Sequence, residues 1–256
     1  MANGAILWEG KSQIDGAPIM LIATGLASGS VNSKTGALVQ TWILRADVSP
    51  VAAIHTGADE SICGACPHRG TIETQADGTT RNRGRACYVA VFQAPRNVWE
   101  TAKRGKYPRA KGAEGAALLA GLNIRLGAYG DPAAIPFHVW KKLLSRAYPA
   151  TGYTHQWRKA DSRFASLCMA SADSVAEAET ARALGYRTFR VGSKAESIVQ
   201  GVESLCPASA EAGKRTTCES CKLCGGDRIK AKSIFIPVHG THGHVNAFEA
   251  RKESAH

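Results

Sequence analysis

From residue 95 onward, short apolar runs alternate with helical stretches at a nearly regular interval, a rhythm that few folds accommodate. Pro95 to Lys106 and Glu114 to Leu122 read as helices, followed by a strand from Asn123 to Gly130 and a helix from Ile135 to Tyr148. Strands are expected over Thr151–Trp157 and Ser166–Ser171. The next helix opens on Ser174 as N-cap, with Glu177 at capping-box spacing, and ends near Gly185. A strand over Tyr186–Val191, a weaker helix over Ala195–Val202 and a last strand over Ser233–His239 complete the series. Strands and helices in this order build parallel βαβ units. Several consecutive units favour a partial or distorted (β/α) barrel, with a doubly wound open sheet as the alternative. Either way a ligand site belongs at the C-terminal ends of the strands. The polar residues expected there include Tyr129, Asp131, His155, Gln156, Ser171, Asp173, Arg190 and His239.

Residues 1–60 form a β-rich segment, with strand-like runs at Ile19–Thr24 and Leu38–Arg45. Between them lies Gly29-Ser-Val-Asn-Ser-Lys-Thr-Gly36, which looks superficially like a phosphate loop. Ser33 stands where that loop needs glycine before Lys34, so a hairpin turn is expected. The remaining organisation is an α/β region over 61–205 carrying a first cysteine group, a cysteine-rich metal-binding segment with the last strand over 206–240, and a polar, loosely held tail over 241–256.

Composition decides how the cysteines are read. No apolar run approaches the ~20 residues that span a bilayer, and the first residues lack the basic and apolar segments of a signal peptide. The expected location is a reducing cytoplasm, with no membrane partner. There, eight cysteines point to metal ligation before disulfides. Lys and Arg outnumber Asp and Glu by 32 to 21, a formal charge of +11 that favours polyanions. The densest basic stretch, Arg96 to Lys111, fits a nucleic-acid track and a solvated helix face equally well.

Cys206-Pro207 followed by Cys218-x-x-Cys221-x-x-Cys224-Gly-Gly is the strongest chemical signal. Zinc ribbons use paired Cys-x-x-Cys knuckles. Three cysteines at successive x-x spacing with a distant Cys-Pro are closer to the ferredoxin arrangement, in which a loop wraps a 4Fe–4S cubane. Here the Cys-Pro precedes the triplet. The second group is Cys63-Gly-Ala-Cys66-Pro-His68, with Cys87 twenty-one residues beyond Cys66. Three thiolates on a cubane leave one iron open to an external ligand; zinc on Cys63, Cys66, Cys87 and His68 is the structural alternative. Cys168, in an apolar strand, reads as a core thiol or as the fourth ligand of the first centre.

Cysteines near the start of an α/β region, Gly130-Asp131-Pro132 after a strand, and a cysteine-rich C-terminal segment together resemble radical S-adenosylmethionine enzymes. A closer likeness is to phage-encoded, cysteine-rich proteins of unassigned activity related to that fold. The elements that carry it are Cys87-Tyr88, Gly130-Asp131-Pro132, Tyr153 to Trp157, Met169 to Asp173, Gly185 to Arg190 and Cys206 to Ala208. The resemblance implies a barrel-like fold and an iron–sulfur cluster, with S-adenosylmethionine as a further cofactor. This chain departs from the enzymes' pattern, which places three cysteines within eight residues and an aromatic before the last. It spaces its first three widely and places Tyr88 after Cys87.

These readings define an expectation: an iron–sulfur protein with one open cluster on Cys63, Cys66 and Cys87 and one closed on Cys206, Cys218, Cys221 and Cys224. Asp131 and His155 are the candidate proton carriers and Arg190 the candidate anion anchor. Tyr129, Gly130, Ser171 and Asp173 are the candidate cofactor contacts. A redox enzyme would need an electron donor as partner. The competing expectation is a zinc-stabilised nucleic-acid-binding protein without catalysis.

Overall fold

The structure is a computed structural model that describes residues 2–29, 32–228 and 230–254. Its frame is a nine-stranded sheet built on β1 (Gly4–Lys11), β2 (Pro18–Thr24) and β3 (Val39–Arg45), which pair antiparallel. After the exposed hairpin β4 (Thr71–Thr74) and β5 (Thr80–Arg83), the parallel run begins with β6 (Ile124–Tyr129) beside β3. It continues through β7 (Thr151–Thr154), β8 (Met169–Ala172) and β9 (Thr188–Gly192). The last two strands, β10 (Glu203–Leu205) and β11 (Ser233–Pro237), exchange places, so the order is β1-β2-β3-β6-β7-β8-β9-β11-β10. Among the described residues no pairing joins β1 to β10, so the expected α/β class is present and a closed barrel is not.

β2 and β3 are buried along almost their whole length, as strands covered on both faces must be. The short helices are α1 (Pro50–Thr56), α2 (Glu60–Cys63), α3 (Ala94–Lys103), α4 (Ala113–Leu118), α5 (Phe137–Leu143), α6 (Val175–Ala183), α7 (Cys218–Cys221) and α8 (His242–Glu253). Trp140 of α5 is fully buried and satisfies its indole N–H on the Pro132 carbonyl at 2.9 Å. The expected Ser174 cap is present, accepting from the Glu177 N–H at 3.1 Å; the Glu177 carboxylate reaches the N–H of Asp173 rather than that of Ser174. The Gly29–Gly36 stretch does join antiparallel strands, although Ser30 and Val31 lie outside the described residues. No helix of the described residues is long and apolar enough to cross a membrane.

Two expectations differ from the structure. Residues 195–202 form turns instead of a helix, because the side chains of Glu196 and Glu203 take the N–H groups of Ser193 and Val199. The polar tail is ordered over α8. That helix carries almost no apolar stripe; its one fully buried side chain, Phe248, packs against Ala86 and Val238. Replacing Phe248 by Ala should therefore cost about 3–5 kcal/mol. Hydrogen exchange should report deprotection of α8 before the sheet, and unchanged exchange in α8 would mean that the helix is held elsewhere.

Candidate metal centres

The first centre forms where α2 ends. Cys63 closes that helix, and Gly64 follows at φ +53°, so close to Gln156 that a Cβ would come 2.4 Å from its Oε1. Gln156, just beyond β7, ties the loop to the sheet by donating to the Cys63 carbonyl at 2.9 Å and accepting from the Ala65 N–H at 3.2 Å. Arg69 braces it from the other side, on Asp59 at 2.8 Å and on the Gly57 and Gly64 carbonyls. The wide gap before Cys87 is filled by the β4–β5 hairpin, which leaves and returns at Gly70. That glycine has φ +81°, and a Cβ on it would lie 2.3 Å from the Arg83 carbonyl. The return brings the Cys87 N–H onto the His68 carbonyl at 3.0 Å.

Cys63, Cys66 and Cys87 thus converge. Burial pushes the Cys63 thiol up, and the neighbouring Cys66, Asp59 and Cys87 add to it while Arg85 opposes. Cys66 is likewise raised by burial and then by Cys87, with the His68 N–H donating to its sulfur. Around them the guanidinium Nη1 and Nη2 of Arg85 and the hydroxyl of Tyr129 are buried without hydrogen-bond partners. Arg85 lies 3.6 Å from Asp59, beyond hydrogen-bond range. Orphaned buried donors of this kind cost about 1–3 kcal/mol each unless something accepts from them.

Beside Cys66 the strand ends assemble a polar mouth. His68 Nε2 meets Asp173 Oδ1 at 3.1 Å, and Arg251 of α8 donates to the other oxygen at 2.8 Å. The His68 and His155 rings meet edge-on, 5.3 Å between centroids, and Phe248 stacks on His68. Burial, reinforced by His68, pushes His155 down to about 3, so the imidazole is neutral across the physiological range. Asp131 is fully committed to structure. It accepts from the Ala133 and His155 N–H groups and from the Thr154 hydroxyl, yet burial still raises it above the usual carboxylate range. Gly130, at φ +83°, sits where a Cβ would strike Ile43 at 2.7 Å.

The structure gathers Tyr129, Gly130, Asp131, His155, Ser171 and Asp173 at the ends of β6, β7 and β8. Arg190 stands apart: it is fully buried, bidentate to Glu203 at 2.8 Å and bonded to Glu196 and to the Ser197 carbonyl. Cys168 is fully buried in the main core, its sulfur packed against Gly152. Sequence reasoning missed Arg85 and Arg251. Arg85 stands two residues before Cys87, a signal of position alone, and nothing local marks Arg251.

The second centre lies over β7, β8, β9 and β11. Cys206 follows β10 and donates its N–H to the Phe235 carbonyl, while α7 supplies Cys218 and Cys221. The turn before β3 docks on α7: the Cys218 and Glu219 N–H groups bond the Lys34 and Thr35 carbonyls, and the Glu219 carboxylate accepts from Ala37 at 2.9 Å. Arg187 ties the rest of the loop, donating to the carbonyls of Leu223, Gly226, Ala231 and Lys232. Burial pushes Cys224 up to about 12, held back by a hydrogen bond from the Tyr153 hydroxyl. Cys206 and Cys218 are also raised by burial, with Lys34 opposing at both and Arg125 at Cys218. Cys206, Cys218, Cys221 and Cys224 lie near enough for their charges to act on one another.

Among the described residues, the one set of three or more His, Cys, Asp or Glu with ligand atoms all within 4.8 Å of one another is His68, His155 and Asp173; neither cysteine group brings three sulfurs that close. In the basic stretch Arg96 and Arg104 pair with Glu100, and Arg109 and Lys111 with Glu9. No family model, curated protein or solved structure matches the chain.

Proposed function

We propose that this chain is an iron–sulfur protein, with one cluster on Cys63, Cys66 and Cys87 at the mouth of the sheet and a second on Cys206, Cys218, Cys221 and Cys224. The observation that carries the reading is the setting of the first thiols. Three converging sulfurs are faced by the Arg85 guanidinium and the Tyr129 hydroxyl, both buried and without acceptors. An anionic cluster would satisfy them, because hydrogen bonds and positive charge around the sulfurs stabilise its charge. The sheet supports a barrel-like winding: from β3 to β9 each new strand adds on the same side, with no reversal of the kind that creates the crevice of a doubly wound sheet.

A cluster at the first centre would supply one-electron transfer and, with three thiolates, a coordination position for an external ligand. The chain's own residues define what reaches it. A cavity of about 160 Å3 beside Cys66 is lined by Ala65, Pro67, His155, Gln156 and Ser171 among others. That volume is below the ~300 Å3 of common ligand pockets and favours a small molecule. His155 borders that cavity as a neutral imidazole. The proposed enzyme is a redox catalyst with a radical S-adenosylmethionine-like layout; a cavity of this volume holds only part of S-adenosylmethionine, so smaller ligands are tested beside it. A zinc-stabilised nucleic-acid-binding role is the competing proposal.

Anaerobically purified and reconstituted protein is expected to absorb broadly in the visible and to contain iron and sulfide in about equal amounts. S-adenosylmethionine, or another small ligand that reaches the open iron, should perturb that spectrum. A colourless protein loaded with zinc would remove the proposal.

A further inference from the structure

We propose that His68, His155 and Asp173 form a separate mononuclear site for a divalent first-row transition metal, at the C-terminal mouth of the sheet. It goes beyond the iron–sulfur reading and does not depend on it, since it uses none of the cysteines. Each ligand comes from a different segment: His68 from the turn Pro67–Arg69, His155 from the end of β7 and Asp173 from the end of β8. Their ligand atoms all lie within 4.8 Å of one another. The His68 Nε2 to Asp173 Oδ1 edge, 3.1 Å, matches adjacent ligands on a metal with ~2.1 Å bonds, which stand about 3.0–3.4 Å apart.

Hydrogen bonds could explain two of these residues without a metal, because His68 and Arg251 both reach Asp173. They do not explain His155. Its Nε2 is buried with no partner, in a site where a nitrogen without a partner costs free energy. A cation between the three side chains would satisfy that nitrogen.

The supports around the ligands hold them in place independently of any metal. The His155 N–H is fixed on Asp131 at 2.7 Å, the Asp173 N–H on Glu177 at 2.8 Å, and the His68 carbonyl accepts from Ala86 and Cys87. Phe248 stacks on the His68 ring at 5.7 Å and an interplanar angle of 9°. Such second-layer contacts orient metal ligands and raise affinity. Two imidazoles and one carboxylate suit borderline ions such as Fe2+, Co2+ and Zn2+. Three protein ligands leave positions open, and the cavity lined by His155 and Ser171 lies beside them. The ligand taken there would be water or a small oxygen-donor molecule.

The test is Co2+ binding to the full, anaerobically reconstituted chain, followed by equilibrium dialysis and difference spectroscopy. Thiolate-bound Co2+ shows intense sulfur-to-metal charge transfer in the near ultraviolet, which separates cysteine sites from this one. One Co2+ per chain without that band is expected. His155→Gln and Asp173→Asn should each weaken it at least ~100-fold, a larger loss than the 10–100-fold typical of supporting contacts. Both variants should keep the wild-type inorganic sulfide content and circular dichroism, so that the loss reports ligation and not unfolding or loss of a cluster. Absence of such Co2+, binding only with the thiolate band, or equal binding in wild type and both variants would overturn the proposal.

Discussion

Replacing Cys224 by Ser is expected to empty the second centre, lowering iron per chain by roughly half if both centres hold cubanes, and to loosen the segment from Cys206 to Asp227. Burial alone would keep this thiol protonated, since its pKa is pushed up to about 12. A coordinating metal removes that proton and turns the thiolate into a crosslink. The segment has little else to hold it. It contributes Cys206 and Ala208 to a small apolar cluster with Met169, Ile234 and Ile236, and otherwise hangs on carbonyls gathered by Arg187 and on the turn at Lys34 and Thr35. Iron analysis with limited proteolysis checks the result. Cys168→Ala is the control, because truncating a core thiol should leave the iron unchanged. Wild-type iron and protease resistance in the Cys224→Ser protein would mean that this cysteine is no ligand.

Replacing Arg190 by Met should cost about 3–5 kcal/mol, because it strands the carboxylate of Glu203 in the interior. Glu203 is 1% exposed and Arg190 is fully enclosed, with two parallel bonds of 2.8 Å between them. Phe235 covers the guanidinium at 4.3 Å. In a chain of this size, each kcal/mol moves the melting temperature by about 2–4 °C, so a fall of about 6–20 °C is expected. Changing Glu203 to Leu in the same protein removes the stranded charge and should restore most of the loss. Thermal denaturation of the single and double variants decides it. A single variant that melts like wild type but loses ligand binding would return Arg190 to the role of anion anchor.

What the sequence determined by itself was whatever depends on local pattern. The apolar runs and caps placed nearly every parallel strand, the Ser174 cap and the turn before β3, because periodicity and turn chemistry act within a few residues. The x-x spacing marked Cys218, Cys221 and Cys224 as one group, but not that the first two would lie on a short helix. Strand-end logic named Asp131, His155, Ser171 and Asp173 together, since in parallel sheets loop residues after each strand share one end. What only the tertiary structure decided were meetings between distant segments. Arg190 reads the same in sequence whether it faces a ligand or a carboxylate, and its pairing with Glu203 depends on β9 and β10 lying on either side of β11. Arg85 and Arg251 gain meaning only when the hairpin return and the docking of α8 bring them to Cys63 and Asp173. The tail gave no periodic signal because a few scattered long-range contacts dock it: Phe248 in the core, Arg251 on Asp173 and Lys252 on Glu196. Such contacts can order a helix, yet they leave no pattern for a local reading to find.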